Sequence, residues 1–288
     1  MLTIMFPGQG SQFKGMGSHL YAKYKMLLDA ASDVAGYSIE ELCMSGGKNL
    51  SQTSYTQVAL FTINSLYFND AIDRGIAPDY YMGHSLGEYN ALYASGVFDF
   101  ETGVSIAKKR GELMDASPNS GGMAAIIGMD YQQVHSIIDD YDQVYIANYN
   151  SQEQIVVSGI HSQLDKIKEE IDKADGARYV PLAVSGAFHS PLMEDAAREF
   201  EAFLSGFEFR EPKTPVLSNV TADWHKLESI KDKMVQQITS SVRWYDSVNR
   251  LHKEAPMLYV ELGPKNVLTN LNKSILVGLS DNKPRALN

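Results

Sequence analysis

A chain of 288 residues can form one large domain or two smaller ones, and it can bury a sizeable core. With 44% hydrophobic and 21% charged residues it has the composition of a soluble globular protein, and nothing in it suggests disorder or a fibrous repeat. A net charge of -10 excludes the broad basic surface of a nucleic-acid binder and leaves any anionic substrate to a local cation.

The first six residues are too short and lack the basic flank of a signal peptide. Residues 3–6 instead predict a buried strand. It breaks at Pro7-Gly8-Gln9-Gly10-Ser11-Gln12, a glycine-rich turn at the carboxyl end of a sheet, where α/β proteins bind ligands. No Gly-Lys-Ser/Thr follows, so the turn is not a phosphate loop, and the next glycines, Gly15 and Gly17, miss the dinucleotide spacing. Helical patterns are expected over 18–35, 56–74, 87–95 and 100–116, the last starting near Asp99 as a cap. Cys43 follows Glu40-Glu41-Leu42 in a further helical pattern and reads as a buried filler. As the single cysteine it allows no intramolecular disulfide, which favours an intracellular setting. No apolar run approaches a membrane span, so a soluble, cytoplasmic chain is expected.

Tyr80-Tyr81-Met82 reads as the end of a second buried strand, and residues from 88 on as the first turns of a helix. Between them stands Gly83-His84-Ser85-Leu86-Gly87, a G-x-S-x-G pattern. Flanking glycines let the backbone double back, and the serine hydroxyl is left at the apex, close to the free N–H groups of a helix start. The plainer reading is a glycine-rich loop that happens to hold a serine.

From 123 to 184 the rhythm changes. A strand over 123–129, a helix over 131–141, and strands over 143–149 and 154–158 joined by the turn 150–153 come first. A helix over 162–174 and a strand over 177–184 complete a ferredoxin-like β-α-β-β-α-β unit. The expected architecture is therefore α/β: an α/β-hydrolase-like subdomain with a parallel sheet, made of 1–122 and 185–288, into which 123–184 is inserted. The cleft between the two is a favoured place for a small-molecule site. Helices over 193–207 and 227–239 and strands over 216–220 and 258–262 follow. The stretch after Leu279 is polar and is expected to end a domain, with a longer polypeptide left open.

A serine nucleophile needs a base, and histidine is the usual one. His135, His161, His225 and His252 lie in polar surroundings and read as surface residues, and His19 as a helix-face residue. His84 adjoins the serine on a sharp turn and is expected to wall the pocket. His189, in Ser185-Gly-Ala-Phe-His-Ser-Pro-Leu-Met193, lies where the chain returns from the inserted unit to the cleft, which makes it the candidate base. No Asp or Glu occupies an obvious triad loop. A dyad oriented by a backbone carbonyl would suffice.

Several of these stretches together resemble malonyl-CoA:acyl-carrier-protein transacylases: Phe6-Pro-Gly-Gln-Gly-Ser-Gln12, Gly83-His-Ser-Leu-Gly-Glu-Tyr-Asn-Ala-Leu92 and Gly186-Ala-Phe-His-Ser-Pro-Leu-Met193. Gly121-Gly-Met-Ala-Ala-Ile-Ile-Gly128, Asn148-Tyr-Asn-Ser151 and Glu261-Leu-Gly-Pro264 extend the resemblance along nearly the whole chain. The wording of residues 36–43, 50–53 and 98–103 is similar to the discrete acyltransferases serving polyketide synthases that lack their own such domain. The resemblance implies Ser85 as nucleophile, His189 as base, the N–H groups of Leu86 and Gln9 as oxyanion hole, and the main-chain carbonyl of Gln237 as orienter of His189. It also implies Arg110 as the grip on a free substrate carboxylate.

Guanidinium suits that task, because it offers two parallel hydrogen bonds where lysine offers a point charge. Arg110 lies 25 residues past the serine, on a neighbouring helix. Its plainer reading is a solvated basic turn, Lys108-Lys109-Arg110. Phe188 fits the malonyl-using relatives, where a bulky aromatic leaves little room for an α-methyl branch, a preference worth about 1–3 kcal/mol. Gln12, Gln57, Asn148 and Asn150 are candidate pocket-lining groups, each equally readable as a loop or capping residue.

The implied activity is ping-pong transfer of malonyl from malonyl-CoA to the phosphopantetheine thiol of an acyl carrier protein, in polyketide or fatty-acid biosynthesis. A monomer acting without metal or redox cofactor, nucleic acid or membrane is expected. A proofreading acyl hydrolase is the nearer alternative, against which Arg110 speaks, since hydrolysis of simple acyl groups needs no carboxylate grip. A non-catalytic docking module is the other, against which the intact Ser85, His189 and Gln9 speak.

Overall fold

Side chains along strand β1 (Leu2–Phe6) alternate between two apolar layers, Ile4 and Phe6 entering one and Met5 the other. The computed structural model that shows this describes residues 1–116 and 121–281. The helix expected over 18–35 divides into a short 3-10 turn at Ser18–Leu20 and helix α1 (Lys25–Ala35). Helix α2 (Ile39–Ser45) is capped by the Ser38 hydroxyl, which accepts from the Glu41 N–H, and α3 (Gly47–Ser51) follows. Cys43 on α2 is fully buried, and burial pushes its thiol up to about 11. Helix α4 (Thr53–Asp73) is buried almost all round, as suits a helix running through a core. Strand β2 (Tyr80–Gly83), helix α5 (Leu86–Ala94) and helix α6 (Phe100–Ala116) complete the first part.

An antiparallel sheet then forms from β3 (Gly121–Ile127), β4 (Val144–Ser151), β5 (Gln154–Ile160) and β6 (Arg178–Pro181). Its order, β4-β5-β3-β6, is that of a ferredoxin-like unit, with helices α7 (Tyr131–Ile138) and α8 (His161–Ile171) packed on it around Ile126, Val134, Val157 and Ile167. The hairpin is tighter than the expected turn 150–153: β4 runs to Ser151 and β5 starts at Gln154, with a register shift between Tyr149 and Ser151. The stretch expected as a strand over 177–184 pairs only at β6, because residues past Pro181 leave the sheet toward the cleft.

Helices α9 (Glu194–Leu204), α10 (Leu227–Thr239) and α11 (Trp244–Glu254), strand β7 (Leu258–Glu261) and helix α12 (Val267–Asp281) finish the chain. The strand expected over 216–220 is not one: Val216 and Leu217 make isolated bridges to Tyr81 and Trp224, and the chain then turns away. Leu279 belongs to α12, which no expectation covered, and most of the polar tail beyond it lies outside the described residues. Strands β2-β1-β7 form a parallel sheet with β1 central, its carboxyl ends at Phe6, Gly83 and Glu261. Helices α4, α5 and α6 cover one face, and α11 and α12 the other, around Met5, Met82, Trp244 and Leu268. Among the described residues no helix is long and apolar enough to cross a membrane.

Candidate active site

The turn between β2 and α5 is possible only because its glycines carry no side chain. A Cβ on Gly83 would lie 2.0 Å from the Gly87 carbonyl carbon, and one on Gly87 would lie 1.9 Å from the Phe6 carbonyl oxygen. Ser85 at the apex has φ 52° and ψ -111°, a conformation that L-residues rarely adopt. Asn219 holds it there: its Nδ2 donates to the Gly83 carbonyl at 2.7 Å, and its Oδ1 accepts the Ser85 N–H at 2.7 Å. Nothing in the sequence singled out Asn219. The Ser-Asn pair after an apolar run at 216–217 was its only trace.

The loop after β1 lies against this turn. A Cβ on Gly8 would sit 2.4 Å from the His84 carbonyl oxygen and 3.7 Å from the Leu86 nitrogen, so Gln9 follows directly beside the serine. Buried Asn64 on α4 fixes the loop by donating to the Pro7 carbonyl at 2.9 Å, and Gln9 itself donates to Thr53 at 3.1 Å. Leu86 begins α5, so its N–H has no acceptor within the helix.

His189 also carries a strained backbone, φ 59°, and its N–H donates to the Ile238 carbonyl at 3.1 Å. Its Nε2 lies 2.8 Å from Ser85 Oγ, and its Nδ1 lies 2.8 Å from the main-chain oxygen of Gln237. A carbonyl accepts only, so Nδ1 bears the proton and Nε2 presents its lone pair to the serine hydroxyl. Burial, followed by the neighbouring Arg110 charge, pushes His189 down to about 3. The imidazole is therefore neutral at physiological pH.

Arg110, on α6, is 1% exposed, which rules out the solvated basic turn. Its Nη1 donates to Gln57 Oε1 at 2.7 Å, its Nη2 to Ser85 Oγ at 3.1 Å and to Gln237 Oε1 at 2.9 Å, and the guanidinium lies 5.1 Å from the Tyr89 ring centroid. Among the described residues it makes no ion pair, and Nε has no hydrogen-bond partner. A buried cation left without an anion is costly unless something arrives to pair with it.

These groups open onto a cleft of about 370 Å³. Gln9, Gln12, Gln57, Asn148, Phe188 and His84 all line it, together with Leu86. Gln57 Oε1 accepts from Arg110, whereas Gln12 Oε1 accepts the Gly10 N–H of its own loop at 2.7 Å. Asn150 is not among the residues lining the cleft; its Oδ1 accepts from His84 Nε2 at 2.8 Å, and burial lowers the proton affinity of His84. Lys265 at the cleft, bonded to the Gly10 carbonyl at 3.0 Å, was not foreseen. Among the described residues no group of three or more His, Cys, Asp or Glu gathers to hold a metal ion.

One histidine is not where the sequence put it. His161 and His252 are exposed, as is His19, and His135 is half-buried, but His225 is 4% exposed and its Nε2 meets Glu88 Oε1 at 2.5 Å. Its polar neighbours along the chain point elsewhere, because the bridge of Leu217 to Trp224 folds this stretch inward over α5.

A parallel sheet bearing a strained serine at its carboxyl edge, facing an antiparallel sheet across a cleft, is the architecture of a two-lobed α/β acyltransferase. Comparison with known proteins gives the particular family. A family model described as the acyl transferase domain matches residues 3–285, and the chain belongs to that family. It is 46% identical over 276 residues to the polyketide biosynthesis malonyl CoA-acyl carrier protein transacylase PksC of Bacillus subtilis (strain 168), covering 94% of this chain and 96% of that one. Among solved structures, a malonyl CoA-acyl carrier protein transacylase from Burkholderia pseudomallei is 38% identical, with a TM-score of 0.92 and 99% of each chain covered. A type II PKS acyl-carrier protein in complex with its malonyl-transacylase superposes with a TM-score of 0.91 at 35% identity, over 96% of this chain and 93% of that one.

Proposed function

We propose that this chain transfers a malonyl group from malonyl-CoA, through a Ser85 ester, to the phosphopantetheine thiol of an acyl carrier protein in polyketide biosynthesis. The observation that carries the reading is Arg110: a buried guanidinium with no ion pair among the described residues, 3.1 Å from the oxygen that would attack. An acyl group that ends in a carboxylate supplies the missing partner and is thereby placed with its thioester at Ser85. The relatives named for malonyl transfer and for polyketide biosynthesis support the same substrate and pathway.

In the first half-reaction Ser85 Oγ bonds to the thioester carbonyl carbon while its proton passes to His189 Nε2. The carbonyl oxygen becomes an oxyanion between the N–H groups of Leu86 and Gln9. As the intermediate collapses the carbon–sulfur bond breaks, and the leaving sulfur takes the proton back from Nε2. In the second half the carrier thiol gives its proton to Nε2 and attacks the ester, and Ser85 Oγ leaves with that proton. The Gln237 carbonyl holds the imidazole in one tautomer throughout. Burial depresses His189 most, followed by the Arg110 charge; a carboxylate on Arg110 offsets that second influence and so makes His189 a better base when substrate is bound.

Atoms and charges balance with serine, histidine and two thiols, so the proposed cycle calls for no cofactor. The proposed division into 1–122 with 185–288 and 123–184 puts the substrate between lobes. A cytoplasmic setting is supported by the single, buried cysteine. Intact-mass spectrometry after incubation with malonyl-CoA tests the reading. The parent chain gains one malonyl group and passes it to added carrier protein, and Ser85→Ala gains none. Stoichiometric labelling of Ser85→Ala would overturn the assignment, and release of free malonate without carrier would favour the hydrolase.

A further inference from the structure

Behind Arg110 lies a chain of buried side chains that the reaction above does not use. Gln237 Nε2 donates to the Ser85 carbonyl at 3.0 Å and to Glu88 Oε2, while its Oε1 faces Arg110. Glu88 Oε1 meets His225 Nε2 at 2.5 Å. Gln237 is 1% exposed, Glu88 2% and His225 4%. An acid in the first turn of α5 would ordinarily be explained by the helix dipole. Here both carboxylate oxygens are instead taken by N–H groups on a different part of the chain.

We infer that Glu88 and His225 are positioning residues for acyl selection, acting through the side chain of Gln237 on Arg110. A carboxylate only accepts, so Glu88 forces the Nε2 end of the Gln237 amide toward itself and the Oε1 end toward the guanidinium. His225 completes the arrangement by satisfying the second carboxylate oxygen and fixing the Glu88 rotamer. The counter-charge to Arg110 thus stands one neutral amide away. Direct contact between Glu88 and Arg110 would form an ion pair and occupy the donors that a substrate carboxylate needs. The interposed amide orients Arg110 while leaving its charge unquenched. The side chain of Gln237 therefore has a task separate from that of its main-chain carbonyl, which holds His189.

The inference rests on Arg110 gripping the substrate carboxylate, and its test separates the two claims. The readout is the ratio of the rate constants for loading Ser85 from malonyl-CoA and from acetyl-CoA, followed by intact mass. Arg110→Ala lowers that ratio if the carboxylate grip is right. An unchanged ratio there removes the grip, and with it this inference. With the grip established, Gln237→Leu, which keeps the main-chain carbonyl, and His225→Leu each lower the ratio about tenfold. His225→Gln, whose amide can still donate to Glu88, returns the ratio to within about twofold of the parent. Proportional losses for both acyl groups in the two leucine variants would show a merely structural role and overturn the inference, as would an unaltered ratio. Should Gln237→Leu fail to fold, the two His225 variants decide the matter.

Discussion

Arg110 shows how much one residue depends on its surroundings. Beside Lys108 and Lys109 in the sequence it resembles a surface charge, yet α6 turns it inward onto Tyr89, Gln57 and Gln237. Two charge-assisted hydrogen bonds to a substrate carboxylate contribute about 2–4 kcal/mol. Arg110→Ala is therefore expected to slow malonyl loading about 30- to 1000-fold, with acetyl loading far less affected, as quench-flow on the two CoA esters would show. Ser85 and His189 were legible one by one, since G-x-S-x-G and a histidine at a return loop each have a chemical reason. Glu88 and Asn219 were not. An acid in a helix's first turn and an asparagine in a loop have common local explanations, and only their long-range partners reveal otherwise.

At the scale of elements, the strand–turn–helix from β2 to α5 presents the serine and leaves no room for a side chain at Gly83 or Gly87. Gly87→Ala would drive a methyl group to 1.9 Å from the Phe6 carbonyl oxygen, backbone against backbone, with no flexible neighbour to yield. The loss is expected to exceed about 3 kcal/mol, and thermal unfolding would show either a much lower midpoint or no folded protein. Where an element has one wet face, its period was readable, as for α7, with its Asp130 capping box, and for α8. The stretch over 216–220 misled because an apolar run predicts burial, and burial alone does not provide a strand partner. Helix α12 has mixed polarity and follows a Gly-Pro break, so its packing under β4 and β7 is a tertiary fact.

For the molecule as a whole, the buried neutral histidine ties folding to pH. Unfolded, His189 takes up a proton near its ordinary value of 6.5; folded, it does so only near 3. Between those values the unfolded state binds more protons, so stability is full above about pH 6.5 and falls as the solution is acidified toward pH 3. His84 is depressed in the same direction. Urea midpoints at pH 7 and pH 4.5 should fall further for the parent than for His189→Gln, which has no proton to gain. Equal falls would mean that the imidazole is not held neutral.

The sequence by itself determined the chemistry and the framework: a serine where a strand must double back, a histidine where the chain re-enters, and alternating patterns that require a parallel sheet beside a ferredoxin-like unit. These follow from local rules of backbone geometry and apolar period, which act over a few residues. Only the tertiary structure decided the charge environment. It buried Arg110 with no ion pair among the described residues, held His189 neutral, and gathered Glu88, His225 and Gln237 behind them from positions up to 149 residues apart. Dielectric and hydrogen-bond satisfaction depend on everything within a few ångströms in space, and no window along the chain contains that information.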